Sequence, residues 1–424
     1  MDLKAVRGMH DLYGDEMSRW RYVEDQIRAL FDAFGYREFR TPALEKIEVF
    51  KHTVGDETDI VEKQMYTLND QGNETLVLRP EGTASVIRSV VENQLYRPGH
   101  PLRYYYYQPM YRYERPQKGR LRQFHQFGGE LLNDPTPEAD AEIIALMDQT
   151  YRLFGISEYE VRVNNVGCSE CRPPYKEVLK SFFRPKLGAL CEQCQKRFER
   201  SPLRILDCKR DECQAVAAKA PRILENLCAV CSAHHVSLKR RLSQIGVTFI
   251  EDSNIVRGLD YYMRTAFEFT SNLLGAQSAL GGGGRYDGVS ARFGADPFPA
   301  VGYAIGMERL MLVLDQKQSL GVSVRVPKFF FIPLGMPAFE MLYPLSLKLR
   351  RNGVWAEMSY DASKGLKWQL KQADRVNADF ALMLGDQELS SKHAILKNMK
   401  AGTQENISLD TLENALMGRA QRAI

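Results

Sequence analysis

Residues 102–132, LRYYYYQPMYRYERPQKGRLRQFHQFGGELL, constrain the fold more than any other stretch of the chain. The first half alternates like a strand, HQFGGELL reads as a second strand, and RPQKGRLR lies between them, so the segment predicts a β-hairpin. Arg112 and Glu114 share one strand phase just before the tip, and Gln126 and Glu130 share one just after it. So many polar residues aimed at one sheet face suit a lined site better than a packed core. The tip carries Arg115, Lys118, Arg120 and Arg122. Its cations, the guanidinium forks above all, match phosphate oxygens or an RNA end; the plain alternative is a solvated loop.

Other stretches add polar groups to the same picture. LRPEGTASVIR places Glu81 and Thr83 where a helix begins, so the pair either binds an ammonium group or simply caps that helix. AVGYAIGMERLMLVL reads as a small-residue strand running into a helix, with Glu308 and Arg309 at the turn, where a cation adds to the anion affinity of free backbone N–H groups. RGLDYYMRTAFEF sets Arg257, an acid, Tyr261 and Tyr262 around a glycine before a strand. GGGGRYDG lacks the Lys-Ser/Thr of a Walker loop and the spaced glycines of a dinucleotide turn, and is expected to serve close backbone packing beside a ligand. Near the N-terminus, Trp20, Val23, Ile27, Leu30, Phe31 and Phe34 fall on one helical face that Gly35 ends. Pro42 in REFRTPALEKIEVF suits a sheet edge or an interface.

The chain has 424 residues, 44% of them hydrophobic and 26% charged, with a net charge of +4. That is an ordinary globular composition with room for two or three domains, permitting an anionic partner without demanding one. The N-terminus lacks the apolar core of a signal peptide and no run of about eighteen apolar residues occurs, so a soluble, cytoplasmic protein with no membrane partner is expected. All eight cysteines lie between Cys168 and Cys231: Cys168 with Cys171, Cys191 with Cys194, Cys208 with Cys213, and Cys228 with Cys231. In a cytosolic chain such pairs read as ligands for structural zinc, two sites of four thiolates each, or as reduced and partly buried thiols. They mark a mostly helical insert at about 168–245 within a domain spanning 1–327. From 328 to 424, strand-like runs (KFFFIPL, VWAEMSY, ADFALMLG) alternate with helical ones, which predicts an α/β domain with a mainly parallel sheet.

These motifs together resemble the histidyl-tRNA synthetases, which are class II aminoacyl-tRNA synthetases. YREFRTPALE is similar to the first class motif, YRYERPQKGRLRQFHQFGGE to the second and AIGMERL to the third, while RGLDYY and GGGRYDG resemble the two histidine-specific signatures. The resemblance covers essentially the whole chain. It implies an α+β fold: a catalytic antiparallel sheet flanked by helices, the Cys-rich insert, and a C-terminal α/β anticodon-binding domain. It also implies a ligase that joins histidine and ATP into histidyl-adenylate, with Mg2+ on the outer phosphates, and passes histidine to the 3′ end of tRNA(His). Tyr261, Tyr262 and Glu130 would then surround the imidazole, Glu81 and Thr83 the α-amino group, and Gln126 would help to position the amino acid. Arg257 would reach the carboxylate and α-phosphate. Arg112 would hold the α-phosphate, Glu114 the adenine, Phe124 would stack on it, and Arg120 and Arg309 would clamp the outer phosphates. Arg115, Gln117 and Lys118 would meet the acceptor end of the tRNA. The family works as a homodimer through its first motif, which puts Pro42 near the twofold interface. Gly129 stands where relatives often carry a larger residue, implying a slightly looser pocket. Two other readings are a catalytically silent paralogue that regulates histidine biosynthesis and a zinc-dependent nucleic-acid-binding protein. The first usually lacks the C-terminal domain and degrades the histidine signatures, both of which are present here; the second leaves the arginine and carboxylate array unexplained.

Overall fold

A computed structural model describes residues 3–55, 58, 60–206, 208, 210–255, 261–275, 278–317 and 326–421. The chain divides into two compact units, Met1–Val322 and Ser323–Ile424. In the first unit the strands are β1 (Arg37–Glu38), β2 (Leu44–Lys46), β3 (Tyr66–Asn69), β4 (Thr75–Leu78), β5 (Leu102–Tyr111), β6 (Gln123–Leu132), β7 (Glu160–Asn165), β8 (Ile250–Glu251), β9 (Met263–Thr270), β10 (Ala279–Arg285) and β11 (Ala300–Gly306). Eight of them form one sheet in the order β1-β5-β6-β11-β10-β9-β7-β8. Its interior pairs are all antiparallel, and only the short edge strands β1 and β8 pair in parallel.

The expected hairpin is the longest pairing of the sheet, running from Leu102↔Leu132 to Tyr111↔Gln123. Helices Gly14–Ala33 and Pro137–Leu153 cover one face of the sheet. Trp20, Val23, Ile27 and Phe31 of the first helix are buried there, with Leu30 and Phe34 partly so, as the helical spacing predicts. Phe31 stacks on Tyr105 of β5 at 4.5 Å between ring centres. Helix Thr83–Glu92 packs on the opposite face, in a second core with Tyr106, Met110, Tyr261 and Tyr262. The two faces differ because side chains alternate along each strand: Tyr105 faces one core and Tyr106 the other. The site lies on this second face. Pro42 follows the edge strand β1, and its carbonyl accepts a hydrogen bond from Arg79.

The insert is helical as expected, with Arg172–Phe183, Glu192–Arg200, Asp211–Ala217 and Ala229–Gln244 between β7 and β8. Its last helix is tied to the main sheet by a buried polar network. Asp140 accepts from His234 at 2.6 Å, from Thr265 at 2.5 Å and from both Nε and Nη2 of Arg285 at 2.9 and 2.5 Å. Asp140 and Arg285 are fully buried. Burial alone would raise the Asp140 pKa, but the Arg285 guanidinium and His234 reverse that and hold it below the ordinary value.

The second unit corrects one expectation. It contains β12 (Phe329–Pro333), β13 (Ala356–Met358), β14 (Phe380–Leu384), β15 (His393–Asn398) and β16 (Gln404–Ser408), in the order β13-β12-β14-β15-β16. The first three pair in parallel, but β15 and β16 add an antiparallel hairpin, so the sheet is mixed and not mainly parallel. QENIS is polar with one buried residue, Ile407, and HAILKN carries its three apolar residues in one run, Ala394 to Leu396, so neither shows hydrophobic alternation. Among the described residues, no helix is long and apolar enough to cross a membrane.

Candidate active site

A cavity of about 450 Å³ opens on the sheet face beneath the hairpin tip. Glu81, Thr83, Arg112, Glu114, Arg120, Phe124, Gln126, Tyr261, Tyr262 and Arg309 all line it. They come from segments far apart in sequence, and the antiparallel sheet brings them together. A larger cavity of about 1030 Å³ adjoins it, with Arg120, Glu268, Ala279 and Arg309 common to both. The larger one is flanked by Glu158, Glu160 and Asp252 and has neither the paired phenols nor Arg112, so the smaller holds the convergent chemistry.

One end of the cavity is cationic. Arg112 lies just past the end of β5, so it and Glu114 belong to the tip and not to the ladder, although Arg112 N–H still donates to Arg122 O at 2.9 Å. The proline and glycine of RPQKGRLR explain why the ladder stops there. Nε of Arg112 donates to Pro80 O at 2.9 Å, and its guanidinium sits 5.1 Å from the centre of the Phe124 ring. Arg309, in the first turn of helix Met307–Lys317, donates to Gly119 O at 3.1 Å and to Ala279 O at 2.6 Å. Burial lowers the pKa of both arginines and the nearby Arg120 adds to it, while Glu114, 3.4 Å from Arg120, offsets part of the shift in each. Three guanidinium groups repelling one another in a concave site are relieved by a polyanion. Glu308 anchors the same turn, accepting from His125 N at 2.9 Å.

The other end is phenolic and acidic. The Tyr261 and Tyr262 rings lie 4.7 Å apart, and Tyr286 stands 5.5 Å from Tyr261. Glu81 caps helix Thr83–Glu92: its two oxygens accept from Thr83 N at 2.8 Å and Ala84 N at 2.9 Å. Burial raises its pKa against those bonds. Glu130 is completely buried and is not among the groups lining the cavity; it sits behind Thr83, whose hydroxyl donates to it at 2.7 Å, and it also accepts from the Tyr286 hydroxyl. Burial pushes its pKa up to about 8. Gln126 Oε1 is buried with no hydrogen-bond partner, an orphaned acceptor on a cavity wall.

Close backbone approach shapes this end. A Cβ on Gly302 would stand 1.7 Å from Glu130 Oε2, and one on Gly128 would stand 2.1 Å from Tyr106 Cζ. Tyr106 and Gly302 are residues of this end that the sequence does not mark individually, and Tyr286 comes from GGGGRYDG. Tyr106 was legible in principle, because the hairpin register pairs it directly with Gly128. Gly129 corrects another expectation: a Cβ there would meet Tyr303 at 2.9 Å and Phe31 at 3.0 Å, so its missing side chain makes room for rings of the opposite core. Arg115, Gln117 and Lys118 are exposed on the tip. Arg257 falls outside the described residues.

The cysteines gather into two groups of four, Cys168, Cys171, Cys228 and Cys231, and Cys191, Cys194, Cys208 and Cys213. Within each group the sulfurs lie within 4.8 Å of one another. Measured pairs stand at 3.6 Å (Cys168–Cys171), 3.8 Å (Cys168–Cys228) and 3.9 Å (Cys191–Cys208). A tetrahedral zinc with bonds of about 2.3 Å separates its sulfurs by about 3.8 Å, so both sets fit the ion. Backbone N–H groups of Cys228 and Cys191 donate to Cys171 and Cys213 sulfurs at 3.1 and 3.2 Å, the outer-shell support a thiolate needs.

Comparison with known proteins agrees with this geometry. Residues 8–310 match the family described as histidyl-tRNA synthetase, and residues 328–419 match the anticodon binding domain. A histidine–tRNA ligase of Geobacter metallireducens is 43% identical over 96% of this chain and 98% of its own length. One of Acetivibrio thermocellus is 43% identical over 97% of this chain and 99% of its own. The crystal structure of apo histidyl-tRNA synthetase of S. aureus superposes with a TM-score of 0.82 at 34% identity, covering 98% of this chain and 99% of that one. With its class II sheet, its C-terminal anticodon-binding domain and near-full-length relatives of one kind, the chain belongs to the histidyl-tRNA synthetase family.

Proposed function

We propose that this chain, a histidine–tRNA ligase, activates histidine in the cavity beneath the hairpin tip. The observation that carries this reading is the convergence in one cavity of an arginine cluster and a phenol and carboxylate wall. Histidine, ATP and tRNA are its substrates, and Mg2+ enters with the outer phosphates of ATP.

In this reading Tyr261 and Tyr262 enclose the imidazole, with Glu130 setting the polarity behind Thr83. A phenol and a carboxyl suit a ring with two nitrogens. Glu81 and Thr83 receive the α-amino group, and Gln126 supplies its unpaired oxygen. Adenine stacks on Phe124 and meets Glu114. Arg112 and Arg257 take the α-phosphate, and Arg120 and Arg309 take the outer phosphates. A histidine carboxylate oxygen attacks the α-phosphorus, the bond to the bridging oxygen breaks, and pyrophosphate leaves. No side chain acts as nucleophile, so the rate comes from positioning and from cations placed where charge develops. The terminal ribose hydroxyl of tRNA then attacks the acyl carbon and AMP leaves, with Arg115, Gln117 and Lys118 guiding the acceptor end.

Residues 1–327 form the catalytic domain and 328–424 the anticodon-reading one. The two cysteine groups hold structural zinc, which with four thiolates offers folding free energy and no open coordination position. The working form is a cytoplasmic homodimer joined near Pro42. The silent regulatory paralogue is not favoured, because the histidine signatures and the C-terminal domain are intact. Charging of tRNA(His) transcript with each amino acid in turn tests the reading. Histidine alone should be attached, and Lys118→Ala with Arg115→Ala should slow charging more than adenylate formation. Charging with another amino acid, or none from a dimeric folded protein, would remove it.

A further inference from the structure

The two cysteine groups are not equivalent in where they attach. Cys191, Cys194, Cys208 and Cys213 pack within the insert, among Tyr175, Leu179, Phe183 and Phe198. The other group sits against the strand that leads out of the tyrosine wall. Met263, next to Tyr262, packs on Cys168, Cys171 and Cys231. Arg172, next to Cys171, donates from Nε to Val166 O at 2.9 Å and from Nη2 to the backbone oxygen of Tyr262. Val166 N donates to Arg264 O at 2.7 Å, and Arg264 N donates to Gly167 O at 2.9 Å. Arg264 adopts φ of +51°, a left-handed conformation that costs energy for a side chain of this size and needs such support. Asn165, fully buried, closes the frame: Nδ2 donates to Cys231 O at 3.1 Å and Oδ1 accepts from Gly167 N at 2.9 Å.

Residues 262–264 are thus gripped by the turn that carries Cys168 and Cys171, and the four sulfurs, held together, add to the Asn165–Cys231 hydrogen bond a second tie from that turn to helix Ala229–Gln244. Thiols without a metal leave four sulfur groups, three of them on buried residues, with weak mutual attraction. We propose that Cys168, Cys171, Cys228 and Cys231 bind one zinc ion that positions the Tyr261–Tyr262 wall through Arg172, so that occupancy of this site sets affinity for histidine and not for ATP. Arg172 is a positioning residue: it touches the wall's backbone and no substrate. The proposal rests on the reading of this cavity as the histidine site.

The test combines metal analysis with equilibrium binding of histidine and of ATP to the full-length protein. Zinc content should be two per chain in the wild type, one in Cys168→Ser/Cys228→Ser, one in Cys191→Ser/Cys213→Ser and two in Arg172→Ala. Histidine Kd should rise at least about tenfold in both the Cys168→Ser/Cys228→Ser and Arg172→Ala proteins, from lost hydrogen bonds and lost ordering of the wall. ATP Kd should stay within about threefold in both, and the Cys191→Ser/Cys213→Ser protein should bind histidine within about twofold of wild type. Arg172→Ala keeps every sulfur, so it can still overturn the link from the cysteine turn to the wall if a serine variant fails to fold. Unchanged histidine Kd in Arg172→Ala, an equal loss of histidine and ATP affinity, or no zinc in the wild type would overturn the proposal. Wild-type protein that binds ATP but no histidine would instead overturn the reading of the cavity, and the proposal with it.

Discussion

Replacing Glu130 by glutamine should make the protein more stable and less active, and the gain should grow with pH. The carboxyl is completely buried, holds hydrogen bonds from Thr83 and Tyr286, and has its pKa pushed up to about 8 by burial. In the unfolded chain a glutamate ionises near 4.5. Between those values the folded state binds more protons than the unfolded one, so stability falls as pH rises. The contribution is fully present below about pH 4.5 and is lost by about pH 8. At 1.36 kcal/mol per pH unit, keeping this group neutral costs about 3 kcal/mol at pH 7. Glutamine does not ionise and, at similar shape, can still accept from one hydroxyl while donating to the other oxygen. Trp20 is buried in the first unit, so in a Trp355→Phe/Trp368→Phe background its fluorescence reports unfolding of that unit in urea. At fixed protein concentration, the Glu130→Gln protein should gain on its parent by about 3 kcal/mol between pH 5 and pH 8. Its kcat/KM for histidine should fall about tenfold through the altered Thr83 and Tyr286 hydroxyls. Parallel stability lines for the two proteins from pH 5 to pH 8 would refute a neutral Glu130.

Gly128→Ala should drive a methyl group into the buried Tyr106 ring, destabilise the fold by about 1–3 kcal/mol and raise KM for histidine; thermal melts and steady-state kinetics check both. Arg285→Leu strips the buried partner from Asp140 and should cost about 3–5 kcal/mol, enough to lower soluble yield, and Arg285→Leu/Asp140→Asn should recover part of it. Arg309→Ala removes a cation proposed to clamp the outer phosphates and should raise KM for ATP by about 10–100-fold while KM for histidine moves less than about threefold, as read by pyrophosphate exchange.

The sequence made the local pieces legible and left the long-range ones hidden. The hairpin, the amphipathic first helix and the strand–helix turn at Glu308 and Arg309 each carry their pattern within a short window, and each forms where its pattern lies. The β15–β16 hairpin escaped because β16 is polar but for Ile407 and the apolar residues of β15 run together without alternation. Asp140, His234, Thr265 and Arg285 form one network from four distant segments, and no spacing rule joins them. Glu81 caps the helix, as one of its two readings has it, and also lines the cavity. Glu130 lies buried behind Thr83, a layer of depth that strand phase alone cannot distinguish. The cysteine spacing shows four pairs and suits two sites of four thiolates, and the fold decides which pairs combine and sets one group against Met263, next to Tyr262.

ATP–pyrophosphate exchange, with each amino acid supplied singly, tests histidine activation most directly. The wild-type protein should exchange with histidine alone, and Arg112→Ala and Arg257→Ala should abolish that exchange while the protein stays folded. Exchange with a different amino acid, exchange undiminished in both variants, or none at all from folded wild-type protein would contradict the assignment of this cavity.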